Sequence, residues 1–184
     1  MPFGGGSSAS PTLLESVVPL LHAQFHPLGA TVAQVVTLPG QVVISFLLVV
    51  AAAWKLRDAT WIVAWLFAVA VELVFRHALT RPALYRDGMH LVAFDTSWPS
   101  GHALRSALVV AALAAAWPAL RIPLAVWLVA VAVLLELAGF HTPTDVAGGL
   151  LLAAVAAAGA VELERSGLLR RWAALRRGRA RPTS

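Results

Sequence analysis

The chain has no cysteine among its 184 residues. That excludes disulfides and thiolate metal sites. Charge is the second shortage. Asp, Glu, Lys and Arg make up only 12% of the chain, against about 25% in a soluble domain. Hydrophobic residues reach 59% and the mean hydropathy is +0.78. The composition reads as one domain of an integral membrane protein. A third absence is local: residues 1–40 contain no Lys or Arg. Without a basic n-region there, a cleaved signal peptide is not expected. Residues 1–10, rich in Gly and Ser, are expected to be disordered.

What the chain has instead is long apolar runs. A membrane helix needs about 20 apolar residues. Five segments qualify, at approximately 39–56, 60–79, 101–118, 121–140 and 143–163. The connections at 56–60, 118–121 and 140–143 are short, so neighbouring helices must run antiparallel. The loop at 80–100 is long, and long loops in compact domains tend to carry function. Residues 11–38 fit an interfacial helix whose apolar face includes Leu13, Leu14, Val17, Val18, Leu20 and Leu21. A sixth, shallow or re-entrant pass is the other reading of that segment. The expected fold is all-α: a polytopic membrane bundle over 39–163, with a basic tail at 164–184.

The net charge of +5 does not point to nucleic acid. Ten of the fourteen basic residues are Lys55, Arg57, Arg121 and the seven arginines from Arg165 to Arg181. The tail directly follows an apolar span, which suits contact with anionic lipid. With five spans, all ten residues share one side. The positive-inside rule makes that side cytoplasmic. The 80–100 loop and the 140–143 turn then face outward in a cell membrane. Trp54, Trp61, Trp98, Trp117 and Trp172 fall near span ends, as an aromatic belt does.

Two polar segments meet apolar helices on the outward side. The first is Ser97-Trp98-Pro99-Ser100-Gly101-His102. It reads as a helix start, whose free N–H groups bind phosphate oxygens. Gly101 lets an anion come close to the backbone, and His102 in the first turn reaches the same place. An ordinary capped helix with an interfacial histidine fits this segment equally well. The second is Gly139-Phe140-His141-Thr142-Pro143-Thr144-Asp145. Thr142 suits the N-cap and Pro143 the first helical position. Asp145 has two readings. It completes a capping box, or it accepts a hydrogen bond from His141 and makes the other ring nitrogen a nucleophile.

The other outward cations are Arg76, Arg81, Arg86 and Arg105. Each is either a snorkelling interfacial residue or part of a phosphate cradle, for which guanidinium is suited. Arg105 follows His102 by three residues and lies on a neighbouring part of the same helix face. Glu72 and Glu136 sit inside apolar spans, where a carboxylate needs a partner or a role. Glu72 pairs by spacing with Arg76. Glu136, a turn before His141, is expected to anchor an arginine from another helix. Both are assigned supporting roles. His22, His26, His77 and His90 fit no ligand spacing, and neither a metal nor a cofactor is expected.

These residues resemble the phosphatidic acid phosphatase type 2 family of membrane phosphatases. Its second signature is intact as Pro99-Ser100-Gly101-His102. The His and Asp of its third are His141 and Asp145, followed by Val146-Ala147-Gly148-Gly149. Its first is present only as Arg81-Pro82. The lysine slot seven residues before Arg81 holds Val74; shifted by two, the slot holds Arg76 and leaves Ala83 and Leu84 where Arg-Pro should stand. Leu134 and Leu135 occupy the Ser-Arg slots of the third signature. The resemblance implies hydrolysis of a lipid phosphate through a phosphohistidine. His141 would be the nucleophile, Asp145 its orienter and His102 the acid. Arg76, Arg81, Arg105, Ser100 and Gly101 would bind phosphate. The expected partners are a lipid phosphate and the bilayer, with no nucleic acid. A polyprenyl phosphate or diphosphate is the first substrate expectation and a phosphatidate-type glycerolipid the second. The alternatives are transfer to an acceptor other than water, and a degenerate protein that binds or carries phospholipid.

Overall fold

The computed structural model describes residues 28–78, 85–86, 89–90, 98–137 and 141–167. The Gly/Ser-rich N-terminus, the first part of the expected interfacial helix, Arg81 and the basic tail beyond Gly167 lie outside the described residues.

The described chain is helical. Helix α1 (Leu28–Thr37) leads through a single 3-10 turn (Leu38–Gly40) into α2 (Val42–Leu56). Then follow α3 (Thr60–Ala78), α4 (Gly101–Ala116), a 3-10 turn (Pro118–Leu120), α5 (Arg121–Leu137) and α6 (Pro143–Ser166). The bundle is all-α as expected, and the 80–100 loop adds only a short ribbon. There β1 (Tyr85–Arg86) and β2 (Met89–His90) form a two-residue antiparallel ribbon, with Tyr85 opposite His90.

The helix limits have local causes. Arg57 ends α2 in the left-handed region at φ 54°, and its N–H returns to Ala53 and Trp54. The Asp58 carboxylate then accepts from the Thr60 N–H at 2.9 Å, which caps α3. Trp117-Pro118 stops α4. Pro39 cannot donate to a helical ladder, and the axis bends by 53° between Gln34–Gly40 and Val42–Leu56. The expected boundary at residue 38 is therefore a bend inside one broken apolar segment.

Three helices are long and apolar enough to cross a membrane: Thr60–Ala78, Pro118–Leu137 and Pro143–Ser166. The bent pair adds a fourth candidate. Helix α4 is apolar but has only 16 residues, a length of about 24 Å at 1.5 Å per residue. It is the central helix, packed against α6, α2, α5 and α3. That position explains why it holds Arg105 and Ser106 out of contact with solvent: protein, and not lipid, surrounds them.

Small residues bring these helices close. The main core joins Ala52, Ala64, Ala68, Ala112, Ala153, Ala156 and Ala160 to Trp61, Trp65, Leu104 and Leu108. Trp65 packs on Phe46 at 5.1 Å and donates to Ser45 Oγ at 3.2 Å. A second cluster of Ala103, Val131, Leu135 and Val146 lies where α4, α5 and α6 meet. Helix α1 leans on α5, where Trp127 Nε1 donates to the Val36 carbonyl at 3.0 Å. Trp127→Phe removes that donor. It is expected to weaken the docking of α1 by about 1 kcal/mol. Amide exchange in α1 should quicken about fivefold in detergent micelles. Unchanged exchange would show that the bond does not hold α1.

Candidate active site

The starts of α4 and α6 are built to be joined. Ser100 is the N-cap of α4, and its hydroxyl accepts from the Ala103 N–H at 3.3 Å. Its own N–H donates to the Asp145 carbonyl at 2.9 Å. That backbone bond ties Pro-Ser-Gly-His to the segment that carries His141 and Asp145. Two glycines permit the approach. A Cβ on Gly149 would stand 2.5 Å from the Ser100 carbonyl oxygen, and one on Gly148 would stand 2.5 Å from Trp98 Nε1. Trp98 in turn meets Phe75 of α3 edge-on at 5.1 Å.

At the start of α6 both readings of Asp145 converge on one carboxylate. Thr142 Oγ1 accepts from the Asp145 N–H at 3.3 Å, and Asp145 Oδ2 accepts from the Thr142 N–H at 3.0 Å. This is a complete capping box. The same Oδ2 faces His141 Nδ1 at 3.9 Å. That gap exceeds hydrogen-bond length, and among the described residues Nδ1 makes no hydrogen bond. The His141 side chain is only 8% exposed and Asp145 is fully buried. The His141 N–H donates to the Leu135 carbonyl at 3.2 Å, which fixes the turn between α5 and α6.

The cations are held by Glu72. Its Oε1 pairs with Arg76 Nη2 at 2.9 Å and its Oε2 with Arg105 Nη1 at 2.7 Å. Arg105 also donates from Nε to the Gly40 carbonyl at 2.8 Å. The Arg105 side chain is 7% exposed and that of Arg76 is 20% exposed. Gly101 leaves space for this cluster, because a Cβ there would collide with Glu72 Oε1 and stand 2.7 Å from Arg105 Nη1. His102 lies within electrostatic reach of Arg105, His141 and Arg76.

The structure thus gathers His102, His141, Asp145, Ser100, Gly101, Arg76, Arg105 and Glu72 at one end of the bundle. Arg81 lies outside the described residues. Three expectations change in detail. The Ser100 N–H and hydroxyl serve Asp145 and Ala103, so only the first-turn N–H groups of Gly101 and His102 lack helical acceptors. Arg105 was expected in the phosphate cradle, yet Nε and Nη1 are engaged by Gly40 and Glu72. Glu136 makes no ion pair among the described residues. Arg105 makes its interhelical ion pair with Glu72 of α3 instead. No group of three His, Asp or Glu side chains is gathered as a metal set among the described residues.

Residues 76–165 match the PAP2 superfamily. The chain carries a PAP2 superfamily domain. Comparison with curated proteins and with solved structures gives no match. The PAP2 match opens at Arg76, the end of the Glu72 bridge, and closes at Arg165 in the last turn of α6. The PAP2 match makes phosphate-ester chemistry the activity broadly indicated for this stretch. It also makes the departure at Leu135 informative. That side chain is 1% exposed in an apolar cluster with Ala103, Val131 and Val146, so the arginine slot has become core.

Sequence reasoning missed Gly40, the Glu72–Arg105 pair and the packing duties of Gly148 and Gly149. The adjacent Gly148-Gly149 inside a helical run was the available signal for close backbone approach. Gly149→Ala forces backbone against backbone. It is expected to lower stability by about 1–3 kcal/mol, read as a lower unfolding temperature in micelles. Gly159→Ala in the same helix has nothing within 4 Å of its new Cβ and should be neutral or slightly stabilising. Equal behaviour of the two variants would refute the tight α4–α6 crossing.

Proposed function

We propose that this PAP2 protein is an integral membrane lipid phosphatase working through a phosphohistidine. The observation that carries the reading is the meeting of two histidines at two helix starts, joined by the Ser100–Asp145 backbone bond. His141 Nδ1 faces a carboxylate, which leaves Nε2 as the nitrogen for phosphorus. Closing the 3.9 Å gap to Asp145 would orient the ring and support its positive charge.

In the first step His141 Nε2 bonds to phosphorus as the bond from phosphorus to the lipid oxygen breaks. His102 gives its proton to the departing alkoxide. In the second step His102 takes a proton from water, whose oxygen attacks phosphorus and breaks the N–P bond. Inorganic phosphate leaves and His141 is restored. The equatorial oxygens gain charge dispersal from Arg76, from Arg81 and from the N–H groups that open α4. Positioning and electrostatics of this kind carry most phosphoryl-transfer catalysis.

The bundle reads as five spans when α1–α2 is one broken span and the short α4 is counted. The turn with Lys55 and Arg57, the turn with Arg121 and the basic tail then lie on the cytoplasmic side. The site lies at the outer face of a cell membrane, with the substrate tail in lipid. A polyprenyl phosphate or diphosphate is favoured over a phosphatidate-type glycerolipid. A second reading draws on Leu135 and on the engagement of Arg105 by Glu72 and Gly40. With fewer cations offered to phosphate, the protein would bind or carry a phospholipid without hydrolysing it.

The test is phosphate release from a panel of polyprenyl and glycerolipid phosphates by the purified protein in micelles. The wild type is expected to release phosphate, and His141→Ala to lose at least about a thousandfold. Equal release by both would remove His141 as nucleophile. Tight binding with no release from any lipid would favour the carrier.

A further inference from the structure

We infer that Gly40 is a positioning residue for the phosphate site, acting through Arg105 and Glu72. The catalytic consequence rests on the phosphatase reading; the geometry does not. Gly40 lies before the PAP2-matched residues, at the bend between two halves of the broken span. The bend interrupts the helical ladder and turns the Gly40 carbonyl inward, where Arg105 Nε donates to it at 2.8 Å. From there the contacts run without a gap. Arg105 Nη1 meets Glu72 Oε2 at 2.7 Å, and Glu72 Oε1 meets Arg76 Nη2 at 2.9 Å. One main-chain oxygen of the N-terminal segment therefore helps to fix the guanidinium that stands nearest the surface of this cluster.

The other side of Gly40 rests on the first turns of α4. A Cβ there would stand 2.6 Å from Ser106 Oγ and 3.0 Å from the His102 carbonyl oxygen. Ser106 is fully buried, so its hydroxyl has little space to yield. Any side chain at residue 40 must push the bend away from α4 or push the turn bearing His102. Either movement stretches the Gly40–Arg105 bond. In this arrangement Arg105 is a strut: its guanidinium reads one carbonyl and one carboxylate at fixed angles, which an ammonium cannot do. Arg76, at the end of the chain of contacts, is the cation presented to phosphate.

The experiment uses the full chain in micelles, with dioctanoyl phosphatidic acid as substrate probe and orthovanadate as phosphate mimic. The variants are Gly40→Ala, the double variant Gly40→Ala/Ser106→Gly, and Gly159→Ala as a packing control. Gly40→Ala is expected to lower kcat/KM on the order of tenfold to a hundredfold. Vanadate affinity, read by direct titration, should fall with it. The double variant removes the 2.6 Å conflict and should recover most of both. A purely structural role would lower the unfolding temperature but leave vanadate affinity of the folded protein unchanged; that result would overturn the inference. Glu72→Gln, which keeps the shape and loses the charge, supplies a second reading should Gly40→Ala fail to fold. Unchanged vanadate affinity in Glu72→Gln would equally overturn it. A wild type that neither releases phosphate nor binds vanadate would sink the phosphatase reading and this inference together. A wild type that does both, with Gly40→Ala indistinguishable from it, would sink this inference alone.

Discussion

One buried carboxylate organises the functional end of this bundle. Glu72 lies in the last turns of an apolar helix and is almost fully buried. A charge placed there is unfavourable unless it is paired and hydrogen-bonded on both oxygens. Glu72 meets that demand with a separate arginine on each oxygen. Arg76 comes from its own helix at the favourable spacing of four residues. Arg105 comes from the central helix. Satisfying the carboxylate therefore fixes α3 against α4. It also determines which cation stays near the surface and which is drawn into the bundle.

The same demand reaches the rest of the fold. Arg105 needs acceptors beyond a single carboxylate oxygen, and the Gly40 carbonyl supplies one at the bend between the two helices. Helix α4 can hold such a residue because protein covers it on every side, which in turn requires close neighbours. Glycine and alanine provide that closeness: Gly149 against Ser100, Gly40 against His102, and the alanines through the core. The backbone bond from Ser100 to Asp145 becomes reachable only at that separation. Local helix starts, correct in themselves, are converted into one site by small residues that carry no chemistry.

This division explains what could be read in the chain beforehand. The long helices were legible because apolar length and the caps at Ser100, Thr142 and Pro143 are local signals. Helix α6 begins at Pro143 as those residues require. His102, His141 and Asp145 were legible because each stands at the junction of a polar segment and an apolar run. The partner of Arg105 was not, since a separation of 33 residues between Glu72 and Arg105 has no periodic signature. Glu136 illustrates the same limit. Like Glu72 it is a carboxyl on an apolar helix, but a pattern along one helix does not say which neighbouring helix brings the arginine. Gly40 looked like a span boundary, and its carbonyl gained meaning only once α4 was placed beside it.

Leu135 shows the same dependence on neighbouring helices. The family resemblance would put an arginine six residues before His141. Here the position packs against Ala103, Val131 and Val146, while its backbone carbonyl accepts the His141 N–H. Leu135 thus serves packing through its side chain and fixes the turn at His141 through its carbonyl. Asp145 shows the complementary economy: a single oxygen closes the cap on α6 and faces the His141 ring. The Leu135 carbonyl fixes the His141 main chain, while the buried ring faces the capping carboxylate across a 3.9 Å gap. A turn fixed by a backbone bond and a capping box keeps its shape without a nearby cation.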